Sequence, residues 1–154
     1  MKLILKFLHL SSLTVWFGGV VFLSFFVAPI VFRNFPREHA GDVMAAIFPW
    51  FYMMGYIAGF TAFFTLILLT KKRAWFRSFL ILVMLLATLY GGLGAGKKAD
   101  HLRQEIRHEQ DTRQLKVLRD NFHIQHRLSM ISNMVVLILI PAVLLLTARN
   151  LSEP

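Results

Sequence analysis

Four long runs without a charged residue constrain this chain more than any other feature of its sequence. They cover residues 7–32, 43–70, 78–96 and 128–148. Roughly 20 apolar residues in a helix, at about 1.5 Å each, cross the hydrocarbon core of a bilayer, and all four runs reach about that length. Because a backbone in lipid has no water to bond with, each crossing has to be a helix. The sequence therefore predicts an all-α integral membrane protein, a four-helix bundle.

The composition agrees with a membrane protein of one domain. Of the 154 residues, 56% are hydrophobic and 16% are charged, against roughly a quarter charged in soluble domains. We expect spans at about 3–32, 43–70, 75–96 and 127–148. The first run is too long for the apolar core of a cleaved signal peptide, so we interpret it as a retained span. The absence of cysteine excludes disulfides and thiolate ligands.

The basic residues flank the spans, and this explains the net charge of +9. Such residues anchor helix ends and meet anionic lipid, so the expected partner of these charges is the lipid bilayer and not a nucleic acid. Lys71, Lys72, Arg73 and Arg77 are concentrated between spans 2 and 3, although the opposite side carries more Lys and Arg in total. Giving weight to the denser short loop, we expect a multi-pass protein of the cell inner (plasma) membrane with both termini in the cytoplasm.

Residues 97–126 are charged, yet apolar residues recur in them at helical spacing. The recurrence has two parts, separated by Glu109-Gln110-Asp111-Thr112, which is typical of a helix break with Asp111 or Thr112 as the cap. We therefore predict that spans 3 and 4 extend into a membrane-external helical hairpin. Its apolar positions are Leu102 and Ile106 on one arm, and Leu115, Leu118 and Phe122 on the other.

The histidines are the first candidates for binding chemistry in a chain without cysteine. His9 lies inside span 1 and shares a helical face with Trp16. An ionisable side chain within a span is costly and indicates a function. One interpretation is a neutral imidazole bonded to a neighbouring helix. The other is an axial ligand of b-type haem, with Met84 of span 3 or His9 of a second subunit as the other ligand.

His126, Ser129 and Asn133 share one face at the start of span 4. A buried asparagine needs hydrogen-bond partners, so the face predicts either interhelical bonding or a pocket for a substrate or metal. His9 and His126 stand at the starts of spans 1 and 4, which lie on opposite membrane faces. About 20–30 Å should therefore separate them, and they cannot share one iron.

A second histidine cluster is predicted in the hairpin. With a turn near residues 110–112, His101 comes opposite Asp120 and His123, and His126 follows three residues later. Imidazole with carboxylate suits Zn, Cu, Fe or Ni. The alternatives are a transition-metal site at these four residues and an ordinary solvated helical face.

Several short motifs of the chain resemble a known family. They are Lys6-Phe7-Leu8-His9, Trp16-Phe17-Gly18-Gly19, Phe35-Pro36-Arg37-Glu38, Phe48-Pro49, and His126-Arg127-Leu128-Ser129 with Asn133. They resemble the TMEM205-like family of four-span membrane proteins, also called the DUF4149 group. This resemblance implies no defined reaction; eukaryotic relatives are associated with tolerance of metal drugs and with trafficking.

Span 1 alone also resembles the first helix of the HemJ protoporphyrinogen oxidases and of the CopD copper-resistance proteins. In the HemJ family a histidine matching His9 is linked to haem. The Asn-Glu-x-Pro element of that family is absent here.

These features predict a non-enzymatic membrane protein that acts by binding. We expect an accessory subunit of a larger membrane complex or a homodimer, carrying haem b or a transition metal at its histidines. The alternatives are a transport or tolerance factor for metals or small solutes, and a HemJ-like oxidase of tetrapyrrole metabolism. The spans contain no Asp or Glu, and no Ser–His–Asp arrangement stands out in the sequence.

Overall fold

The computed structural model describes residues 1–69 and 75–152, and in this part of the chain every regular element is a helix. The elements in order are α1 (Lys2–Phe22), π1 (Leu23–Val27), α2 (Ala28–Asn34), α3 (Arg37–Leu69), α4 (Trp75–Leu89), π2 (Tyr90–Gly96), α5 (Lys97–His108) and α6 (Thr112–Ser152). The predicted all-α fold is confirmed.

The elements join into four helices that are long and apolar enough to cross a membrane. They are span 1 (Lys2–Asn34), span 2 (Arg37–Leu69), span 3 (Trp75–His108) and span 4 (Thr112–Arg149). The prediction of four spans is confirmed, and the helices continue beyond the charge-free runs at several ends. Three of the basic residues on which the predicted orientation rests, Lys71, Lys72 and Arg73, lie outside the described residues.

The four spans pack as a square in which each contacts its neighbours along the chain and span 4 closes on span 1. The larger of two apolar clusters fills much of the interior, and Leu13, Leu66, Ile81 and Ile140 are among its most buried side chains. Large apolar side chains such as Phe60 face outward. In water this surface would be a liability, whereas in a bilayer it meets lipid.

Two glycines of α3 bring span 2 close to the indole of Trp16. A Cβ atom at Gly59 would lie 2.9 Å from a Trp16 ring carbon and 2.8 Å from the side chain of Leu85. At Gly55 it would lie 3.0 Å from the methyl group of Thr88. Small residues allow helices in lipid to approach closely, and here they make the groove that Trp16 fills.

Pro29 widens its helix without ending it. Proline has no N–H to donate to the carbonyl four residues back, and π1 ends two residues before it. There the N–H of Ala28 donates to the carbonyl of Leu23, five residues back. Pro49 and Pro141 lie inside α3 and α6. A proline within a helix often kinks or ends it; here the helix takes a π turn before Pro29, and none of the three prolines ends its helix.

The predicted break in the hairpin is confirmed, because α5 ends at His108 and α6 begins at Thr112. Asp111 caps α6: its carboxylate accepts from the N–H of Arg113 at 2.8 Å. A carboxylate oxygen of Glu109 accepts from the N–H groups of Gln110 and Asp111, both at 2.9 Å. These bonds satisfy N–H groups that a helix start leaves unpaired.

The base of the hairpin is tied to span 2 by an ion-pair network. Arg103 and Arg107 of α5 both donate to the carboxylate of Asp42, near the start of α3. Arg103 also donates to Asp100 at 2.9 Å. The hairpin therefore has a fixed attachment on the side of the bundle opposite to the two termini.

Candidate functional site

Each of the four spans contributes a buried polar side chain near the end of the bundle that holds the two chain termini. We call this set the His9 layer: His9 (2% exposed), Thr65 (5%), Arg77 (8%) and Thr147 (3%). His9 contacts Thr65 directly, and Arg77 stands one turn before Ile81, which packs in the apolar cluster with Leu66. Thr147 stands one turn beyond Val143, which packs in the apolar cluster with Leu66 and Ile81.

The hydrogen bonds around His9 assign its proton to Nδ1. The Thr65 hydroxyl lies 2.6 Å from the carbonyl of Thr61, so its single proton is used there. Nδ1 of His9 lies 3.1 Å from both the carbonyl of Ala62 and Oγ1 of Thr65. Since both of these oxygens are then acceptors, Nδ1 is the donor. A neutral imidazole with a proton on Nδ1 has a bare lone pair on Nε2.

That lone pair on Nε2 of His9 is buried and has no hydrogen-bond partner within the described part of the chain. The hydroxyl of Thr147 is in the same condition. Most buried polar atoms of native proteins are paired, and an unpaired one costs about 1–3 kcal/mol. Two such atoms in one layer indicate a place where a ligand can supply the missing partners.

Arg77 was missed as a site residue because it stands beside a basic loop and was grouped with the anchoring residues. Its position carried a signal: Leu80, Ile81 and Met84 follow it at i+3, i+4 and i+7, and all three are buried. Thr147 likewise continues the buried face of Val136, Ile140 and Val143. Helical spacing from the apolar core would have placed both side chains inside the bundle.

The other two residues predicted beside His9 lie in the apolar core. Trp16 is 1% exposed and Met84 is fully buried, and both belong to the same cluster. Met84 stands seven residues beyond Arg77 along span 3, or about 10 Å deeper in the bundle. Their part in holding a haem stays a prediction.

A second polar group lies at the hairpin end of the bundle and is centred on Tyr52, a residue that the sequence reasoning did not select. The Tyr52 and Ser129 hydroxyls are 2.7 Å apart, and Asn133 donates to the Tyr52 oxygen at 3.1 Å. Ser129 also lies within 3.2 Å of the carbonyl of Gly91. Tyr52 lies on the same face of α3 as Gly55, the first glycine of the groove that Trp16 fills. This spacing was the feature of the sequence that could have indicated a buried Tyr52. We call this set the Tyr52 network.

His126 is not part of the Tyr52 network. Its ring stacks on Phe122, with centroids 5.7 Å apart and an interplanar angle of 5°. The two polar groups are far apart, because the thirteen residues of α3 from Tyr52 to Thr65 span about 20 Å. This separation agrees with the prediction that His9 and His126 cannot hold one iron.

The hairpin histidines are dispersed. His101 pairs with Glu105 of its own helix at 3.1 Å and is 75% exposed, while His123 contacts the edge of Phe122. In residues 1–69 and 75–152, no three His, Asp or Glu side chains are grouped closely enough to hold a metal ion. The four hairpin residues His101, Asp120, His123 and His126 are thus not assembled as a ligand set, and metal binding there stays a prediction.

Comparison with known proteins gives one match. A protein-family profile described as a domain of unknown function (DUF4149) matches residues 11–108, which include most of span 1 and all of spans 2 and 3. No similar protein was found among curated proteins or among solved structures.

Proposed function

Because the chain belongs to the DUF4149 family, whose description names no reaction, we propose its function from its sites: it acts by binding a ligand at the His9 layer, and not by catalysis. It is a membrane protein of four spans, so the ligand is held between helices in the bilayer. The sequence analysis also gives His9 as the leading candidate for a residue that holds a haem or a metal.

The observation that carries this proposal is the Nε2 atom of His9. Histidines that bind metals almost always donate their other ring N–H to a carbonyl, a carboxylate or water, which fixes the tautomer and the ring orientation. His9 matches this pattern, because its Nδ1–H donates to the carbonyl of Ala62. The bare Nε2 of His9 would be the atom that holds haem b or a transition-metal ion. A bound haem would supply one-electron chemistry, while His9 orients it and the surrounding core excludes water.

We propose that such a protein serves as an accessory subunit of a larger membrane complex. The His9 layer offers one imidazole and no carboxylate, which suits holding a group better than acid–base catalysis. His9 is buried within its own bundle, so a His9 from a second copy cannot reach the same iron. A homodimer would therefore associate through its outer faces and carry one group in each copy.

Transport is the weaker alternative. A solute path has to join the His9 layer to the Tyr52 network, yet fully buried apolar side chains such as Leu13, Ile81 and Ile140 fill the interior between them. The case for an oxidase activity of the HemJ type depends on the resemblance of span 1 alone. The other members of the His9 layer, Thr65, Arg77 and Thr147, add no support for it.

Optical absorption and metal analysis of the purified native protein test the proposal. We expect a Soret band, or a metal in stoichiometric amount, in the unaltered protein and in His101→Ala, a matched control at an exposed histidine. Both signals should be lost in His9→Ala. Native protein that contains neither haem nor metal, or His9→Ala protein that retains them, would contradict the proposal.

A further inference from the structure

We infer that Arg77 and Thr147 form an anion site in the His9 layer, and that this site binds a phosphate group. The inference does not depend on which group occupies Nε2 of His9. It rests on a buried cation without a carboxylate partner and on a buried hydroxyl without any partner, contributed by neighbouring helices in the described part of the chain.

The first observation is the isolation of Arg77. It is 8% exposed, and no carboxylate pairs with it in the described part of the chain. Seven of the eight acidic residues lie between positions 38 and 120, around the opposite end of the bundle, and the eighth, Glu153, is outside the described residues. A buried charge is expensive unless it is paired and hydrogen-bonded, so an anion from outside the chain would relieve this cost.

The second observation is the hydroxyl of Thr147, which is buried and, among the described residues, unpartnered. Spans 3 and 4 are antiparallel neighbours, and Ile81 and Val143 pack in one cluster. One turn further toward the termini, Arg77 continues the buried face of span 3 and Thr147 that of span 4. The Thr147 hydroxyl is a donor as well as an acceptor, so it adds a neutral donor beside the guanidinium.

The position of these residues along the membrane normal points to phosphate. Arg77 immediately precedes the charge-free run of span 3, and the residues that border such a run are expected at the level of the lipid headgroups. Guanidinium binds phosphate oxygens in a bidentate manner. Lys2 and Lys6 bring more positive charge to the same end. A lipid headgroup and a free phosphate share this chemistry.

The test measures thermal unfolding of the purified full-length protein in a neutral detergent during titration with three probes. These are dioctanoyl phosphatidylglycerol, inorganic phosphate, and dioctanoylglycerol, which lacks the phosphate. We expect phosphatidylglycerol to raise the Tm and dioctanoylglycerol to leave it unchanged. A response to inorganic phosphate as well would mean that the site takes the free ion; a response to the lipid alone would mean a headgroup site. Either result supports a phosphate site.

Variants of the two residues test whether the Tm response to the probes comes from this site. Arg77→Gln should weaken apparent binding at least about tenfold, Thr147→Val about threefold and Arg77→Lys by an intermediate factor, since lysine keeps the charge but not the bidentate geometry. The matched control is Arg127→Gln, which removes an exposed arginine at the opposite end of the bundle and should respond like the unaltered protein. Without ligand, Arg77→Gln should be as stable as the unaltered protein or more so, because it removes an unpaired buried charge.

Two results would overturn the inference. One is an unaltered protein whose Tm responds to neither phosphatidylglycerol nor phosphate. The other is a response of Arg77→Lys and Thr147→Val equal to that of Arg127→Gln; these two variants keep the test decisive if Arg77→Gln does not fold. Because haem and metal content is read separately, failure here leaves the proposal for His9 standing, and the reverse also holds.

Discussion

At the scale of single residues, one phenol joins three helices at the hairpin end of the bundle. Tyr52 of span 2 bonds with Ser129 and Asn133 of span 4, and Ser129 reaches the carbonyl of Gly91 in span 3. In lipid there is no water to replace such a bond, although measured interhelical bonds average only about 0.6 kcal/mol. The Tyr52 network therefore sets the registry of the helices more than their overall stability.

Removing the phenol oxygen tests the Tyr52 network. Tyr52→Phe keeps the ring and leaves the Asn133 amide without its acceptor, so we expect the free energy of unfolding to fall by about 0.5–1.5 kcal/mol. Chemical unfolding in detergent, followed by circular dichroism, measures the change. The control Tyr90→Phe removes a hydroxyl from an exposed side chain and should have no effect. Equal stabilities of the two variants would show that the bonds of Tyr52 add nothing.

At the scale of elements, contact between spans 1 and 2 depends on the absence of side chains along one face of α3. Gly55 and Gly59 leave the space in which the indole of Trp16 sits. Gly18 of α1 has open space around it, because a Cβ atom there would meet no atom of the described residues within 4 Å. Substitution by alanine should therefore have opposite effects on stability at the closely packed Gly59 and at the open Gly18.

Gly59→Ala should destabilise the protein by about 1–3 kcal/mol, because overpacking a filled interface forces side chains out of their preferred rotamers. Gly18→Ala should leave stability unchanged or raise it by up to about 1 kcal/mol, since alanine favours helix over glycine. Thermal unfolding of the two variants in one detergent gives the comparison. A loss for Gly18→Ala as large as that for Gly59→Ala would contradict the packing described for Trp16.

The hairpin is a second element with a testable attachment. Asp42→Asn removes the negative charge of the acceptor that Arg103 and Arg107 share, so α5 should exchange its amide hydrogens faster. Global stability should change by no more than about 1 kcal/mol, because these ion pairs are partly exposed and screened. Hydrogen-exchange mass spectrometry over residues 97–108 reads the effect, with Asp120→Asn as the control. Unchanged exchange in α5 would mean that the ion pairs do not hold the hairpin.

At the scale of the whole molecule, lipid explains why the architecture could be predicted. A charge-free run of this length can cross a bilayer only as a helix, so four runs predict four helices. The capping sequence around Asp111 indicated the turn of the hairpin. The sites were harder to predict. His9 was recognisable because a titratable group inside a span is rare, whereas Tyr52, Arg77 and Thr147 were marked only by helical spacing from small or apolar positions, which many other residues of the spans share. Span 2 is apolar on nearly all sides, so its sequence alone gives little indication of which face is buried.

The two polar groups owe their separation to this architecture, since the chain crosses the bilayer four times and keeps the His9 layer and the Tyr52 network at opposite faces.

The natural chain has no cysteine, so a single introduced cysteine reports without background. The most direct measurement is labelling of Lys2→Cys, Arg37→Cys and Gln110→Cys with a membrane-impermeant maleimide in sealed vesicles of known orientation. Position 2 should label from one side, the cytoplasmic one in our proposed orientation, and positions 37 and 110 from the other. Labelling of positions 2 and 110 from the same side would contradict the account.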